Sequence, residues 1–156
     1  IDLIPLDMNT QPILEANGSY ANTNRVPLVR LFYDAGSPHG LNSGVHISCN
    51  CSGYCVVSTY TEPGLPEQNW LDRTVILVRL DRVAPRSFYL AKVHGTRGAY
   101  WEETHATMAT NGGRIVWATN WNMNVGQERV WLVEMDMPVD WNVSFQNMLD
   151  QGRGGL

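Results

Sequence analysis

The segment Arg97-Gly-Ala-Tyr100-Trp101-Glu102-Glu103-Thr-His105 gathers a guanidinium, two aromatic rings, two carboxylates and an imidazole within nine positions. Such a set suits recognition of a uronic acid or a sugar hydroxyl. Arg97 with Glu102 or Glu103 would hold the polar groups, and Tyr100 or Trp101 would offer a stacking face. It equally suits a structural ion pair packed against aromatic rings. A second imidazole, His46, stands 59 positions before His105. Trp121 joins the binding candidates as one of six tryptophans in a chain rich in Asn, Ser and Thr. No nucleophile elbow, phosphate-binding loop or His-Glu-x-x-His pair occurs, so no residue is given a catalytic role.

Three cysteines, Cys49, Cys51 and Cys55, fall within seven positions, and an odd number cannot pair completely inside the chain. If Ser52-Gly53-Tyr54 is a three-residue loop, Cys51 and Cys55 face each other across a hairpin and can form a bridge. Buried thiols are the alternative. The two-residue Cys spacing of zinc knuckles and the haem-attachment sequence are both absent. Three N-x-S sequons begin at Asn17, Asn50 and Asn142. Asn17 and Asn142, in segments that read as irregular, are better glycan acceptors than Asn50.

The elements that must position these groups read as short strands. Val26–Tyr33 is a β-rich run stopped by Asp34-Ala-Gly-Ser-Pro38, and Gly44–Cys51 and Tyr54–Tyr60 form a hairpin about Ser52-Gly53. Thr74–Asp81 and Ser87–His94 follow. Thr104–Thr110 and Arg114–Asn120 make a second hairpin about Asn111-Gly112-Gly113, and Glu128–Met135 is a further run. The chain before Asn24 reads as an irregular arm, and 140–156 as a flexible tail.

At 156 residues the chain is the size of one domain. Charged residues are 17 %, against a usual share of roughly 25 %, and the net charge is −4. The basic residues are scattered arginines with Lys92 the single lysine. Nucleic-acid binding, which needs a clustered basic face, is therefore not expected. No apolar run is long enough for a membrane-spanning helix. The opening IDLIPL, with no Met and no signal-like segment, reads as a mature or excised piece of a longer product.

The second hairpin repeats the first. Val56, Ser58 and Thr59 correspond to Val116, Ala118 and Thr119, 60 positions later, and the one-residue difference from the His pair falls in the turn. The run from Val75 to Asp81 corresponds to that from Val130 to Asp136. Repeats of roughly 40 to 60 residues, each holding three or four antiparallel strands, are the signature of β-propeller blades. The expected architecture is thus all-β: an arm over 1–42 with one strand, a blade over 43–98, a second over 99–139, and the tail.

With its His-x-Ser/Thr entry, glycine turn, apolar run and closing Ser-Asn/Thr, the region 44–138 resembles the blades of secreted microbial WD40-like repeat proteins, among them TolB-type propellers. The resemblance implies a secreted, extracellular or periplasmic protein. It also implies further blades supplied by a longer chain or by other copies, since a ring needs roughly 4 to 8. The implied task is non-catalytic binding of a glycan or protein, with no cofactor. In such propellers the inner strands line a channel, so His46 and His105 would face it. Oligogalacturonate lyases, which resemble this chain in carrying blade histidines, hold a divalent metal there. A metal-dependent lyase is therefore one alternative, although two ligands fall short of the three or four that a metal site wants. A structural subunit that pairs its open strand edges with neighbours is another.

Overall fold

The computed structural model describes residues 2–3, 13–14, 20–21, 26–29, 44–60, 70–95, 103–121 and 129–150. Two short antiparallel pairs lie in the N-terminal part: β1 (Asp2–Leu3) with β4 (Val26–Pro27), and β2 (Ile13–Leu14) with β3 (Tyr20–Ala21). The expected strand from Val26 is seen in its first two residues, and its continuation over 30–33 lies outside the described residues.

Two antiparallel meanders follow. The first has the order β5 (Val45–Cys51), β6 (Tyr54–Thr59), β7 (Thr74–Arg79), β8 (Arg86–Lys92). The second comprises β9 (Thr107–Met108), β10 (Arg114–Thr119) and β11 (Trp131–Asp136), with β10 central. The all-β expectation holds at this level.

Strands β6 and β7 are buried along nearly their whole length, and β7 has the continuous Val-Ile-Leu-Val run expected where both faces of a sheet are covered. Val56, Val75, Leu77 and Phe88 pack against Met108, Ile115 and Trp117 of the second meander. On the opposite face Val57, Ile76 and Val78 pack against Val29 and Leu71. Successive residues point to opposite faces of a strand, which is why odd and even positions of one run feed two cores.

The repeat is visible in the register. In the first sheet Ser48 is paired with Val56 and Val56 with Leu77; in the second, Thr107 is paired with Val116 and Val116 with Glu134. Glu134, rather than Leu132, is thus the counterpart of Leu77, so the third strands correspond two residues further on than their sequences suggest. A slip of two leaves every side chain on its own face, so apolar alternation cannot detect it.

The cysteine pairing differs from the expected one. The hairpin turn has two residues, Ser52 and Gly53, which places Cys51 opposite Tyr54. Gly53 has φ +79°, a conformation that costs a side-chain-bearing residue energy. Between the Ser48–Val56 and Cys51–Tyr54 pairs, Cys49 and Asn50 stand against Cys55 alone, a bulge. The bulge brings Cys49 onto Cys55, and these two form the disulfide. Cys51 points into the opposite core as a buried free thiol. Thiol titration of the native, unreduced protein is expected to detect no rapidly reacting group, and titration in denaturant to detect one, because a buried thiol in apolar surroundings is inert. A fast-reacting native thiol would overturn this placement.

The expected flexible tail is also corrected. Residues Trp141–Asp150 form the helix α1. Trp141, Phe145 and Met148 share one helical face and pack on the core between the meanders. No helix among the described residues is long and apolar enough to cross a membrane.

Candidate metal centre at the seam between the two sheets

One edge of the first sheet, β5, meets the strand that opens the second. Ser48 Oγ and Thr107 Oγ1 lie 2.9 Å apart, and these two residues occupy equivalent places in the repeat. The backbone N–H of Ala106 donates to Ser58 Oγ at 3.0 Å, and Asn50 Nδ2 donates to Thr107 Oγ1 at 3.2 Å. Polar side chains of β5 and β6 thus engage the facing segment, so hydrogen bonds at the edge add to the apolar packing between the sheets.

His46 and His105, the equivalent histidines, meet at the same seam. Their rings stack with centroids 3.7 Å apart and planes inclined by 30°. Glu103, whose side chain is only 1 % exposed, accepts a hydrogen bond from His46 Nε2 at 2.5 Å, and the same oxygen, Oε2, lies 3.8 Å from His105 Nε2. All three residues offer donor atoms within 4.8 Å of one another. Ligand atoms bound tetrahedrally to one ion at about 2.0–2.1 Å stand roughly 3.3 Å apart, so the two spacings to the carboxylate bracket what a first-row metal requires.

Burial lowers the pKa of His105 from its ordinary value of about 6.5; the adjacent His46 lowers it further, and Glu103 acts in the opposite direction. The result favours the neutral imidazole, the form that binds a metal. His105 also has φ +44°, in the left-handed region that residues other than glycine enter at a cost. That backbone turn sits between Glu103 and β9. Strain of this kind persists where the surrounding structure over-determines it, as at ligand clamps. Behind His46 the ring of Tyr60 stands 5.7 Å away.

Of the sequence candidates, the structure therefore joins His46, Glu103 and His105. Arg97, Tyr100, Trp101 and Glu102 lie outside the described residues, as does Asn17. Trp121 is apart from the triad, beside His94, with ring centroids 5.5 Å apart. Asn50 is on the exposed side of β5, its amide nitrogen engaged by Thr107. Asn142 is the second residue of α1 rather than part of an irregular segment. The sequence reading grouped Glu103 with Arg97 and so counted two metal ligands. The seam partners Ser48 and Thr107 were missed, although they share the 59-residue separation of the histidines and could have been found by it.

No family of known proteins, no curated protein and no solved structure matches the chain. What the triad does must therefore be argued from its own geometry and chemistry.

Proposed function

We propose that the two meanders are consecutive blades of a secreted β-propeller and that the protein is a binding module with a divalent transition metal at its inner seam. His46, Glu103 and His105 are the protein ligands. Three donors leave open positions on the cation, which would receive oxygen groups of an extracellular polysaccharide. The observation that carries this reading is the meeting of three ligands, His46 on β5 and Glu103 and His105 in the segment that leads into β9, within 4.8 Å. Contact between equivalent residues, His46 with His105 and Ser48 with Thr107, supports units related by rotation about a nearby axis. Propeller blades have this relation, and the remaining blades would come from further chain or other copies. The Cys49–Cys55 disulfide supports an oxidising compartment.

Two imidazoles and one carboxylate favour first-row transition ions, Zn2+ or Ni2+ through the imidazoles and Mn2+ through the carboxylate, over Ca2+ and Mg2+, which prefer all-oxygen sites. Calorimetric titration of chelator-treated protein is expected to give one Zn2+ or Mn2+ per chain and no response to Ca2+. The bound ion should also raise unfolding stability by about 2.7 kcal/mol when present at about 100 times Kd. A stoichiometry of zero, or metal uptake unchanged in His105→Asn, would overturn the proposal.

A further inference from the structure

The two units differ by one strand. In the first, β7 lies between β6 and β8; in the second its counterpart β11 has β10 on one side and, among the described residues, no strand on the other. Edge strands are usually protected from pairing by charged side chains. β8 follows that pattern, opening on Arg86 and closing on Lys92. β11 does not. Val130 is 56 % exposed, Trp131 41 % and Leu132 71 %, with Trp121 beside them at 57 %.

A groove of about 460 Å³ is lined by Trp121, Trp131, Leu132, Val133 and Glu134. Four of these are consecutive residues of β11, and consecutive strand residues point to opposite faces. The groove therefore follows the edge of the strand rather than one face of the sheet. Trp121 forms its end wall with φ +56°, held there by the N–H of Trp121 donating to Thr119 Oγ1 at 3.1 Å.

We infer that the edge of β11 that no described strand pairs is a strand-addition site for an extended segment of another polypeptide, antiparallel to β11, in the place that β8 takes on β7. The repeat specifies the pairing. β8 sets Phe88 against Leu77, Arg86 against Arg79 and Lys92 against Thr74. The equivalent β11 positions are Glu134, Asp136 and Trp131, so a strand of the β8 pattern would bring a cation to Asp136 and another to the face of Trp131. Arg114 already bridges Glu134 at 2.6 Å and Asp136 at 3.0 Å, but two carboxylates share that one guanidinium, so β11 keeps a negative balance and an aromatic face where such an occupant carries cations. Backbone hydrogen bonds would supply affinity, and these side-chain pairs would supply direction and register. The inference goes beyond the proposed metal-binding role and stands or falls without it.

The test uses the full chain and a fluorescein-labelled synthetic peptide with the sequence of residues 85–93. The expected result is saturable binding that slows amide exchange across residues 131–135 and weakens by about tenfold or more in Leu132→Lys, a charge placed mid-edge. Leu132 is so exposed that the variant should keep its fold, and the exchange measurement on the unmodified chain tests the edge independently of it. Three outcomes would overturn the inference: no binding up to roughly 1 mM peptide, protection confined to residues outside β11, or peptide-insensitive self-association that buries this edge against a second copy.

Discussion

Trp141→Ala is expected to lower unfolding free energy by about 3–5 kcal/mol, read from guanidinium melts at unchanged slope. Trp141 is buried in the core that joins the two meanders. It meets Tyr54 of the first edge-on, with ring centroids 4.7 Å apart, and it braces Phe145, which stacks on Phe88 at 4.3 Å. On the other side it lies against the turn of the second meander, where a Cβ on Gly112 would fall 2.6 Å from its Cζ2 and 3.1 Å from Cys51 Sγ. Removing the indole empties a space bounded by both sheets and the helix. Gly112→Ala is the converse experiment. It adds a methyl against that ring at φ +72° and is expected to cost about 2–4 kcal/mol from left-handed strain and overpacking. A helix that merely trailed from the domain would give a Trp141→Ala cost within about 0.5 kcal/mol, the range for surface changes.

The helix shows why part of the fold could not be read from the chain. Trp141, Phe145 and Met148 are spaced as a helical stripe, and Asp140 stands before them as a capping residue type. The signal was present, but the glycine-rich end, Gly152 to Gly155, dilutes it when 140–156 is read as one segment. Strands fared better. The Val and Ile runs of β6, β7 and β10 announce themselves by residue type, and the glycine turns mark their ends. The disulfide could not be read, because a two-residue turn with a bulge and a three-residue turn without one use the same letters and differ only in which cysteine reaches Cys55. For the site, the paired histidines were legible from the repeat. Their carboxylate was not, because Glu102 and Glu103 are adjacent and nothing in the sequence marks Glu103 as the one that meets His46.

Mutating His46 alone is expected to destabilise the metal-free protein more than mutating His46 and Glu103 together. His46→Ala takes the 2.5 Å donor from an almost fully buried carboxylate that keeps His105 at 3.8 Å, and losing a hydrogen bond to a charged group costs about 1.5–3 kcal/mol. Glu103→Gln keeps shape and an acceptor while removing the charge, at about 1 kcal/mol. In the double variant no charge is left behind, so its cost should fall below that of His46→Ala, a coupling that only directly interacting groups produce. Metal affinity should behave differently. Each single variant removes a ligand and is expected to lose more than about a hundredfold, beyond the loss typical of an outer-shell partner, and the double variant cannot recover it. Acid adds an independent check. Because the folded pKa of His105 lies below its ordinary value of about 6.5, protonation favours the unfolded chain. Its contribution is fully present above pH 6.5 and is lost as the pH falls through the lowered folded value. His46 is one of the causes of that lowering, so in His46→Ala the acid-sensitive part of the stability should shrink. If melts between pH 7.5 and 5 show the same slope with and without His46, the two rings do not interact and the seam cannot hold an ion between them.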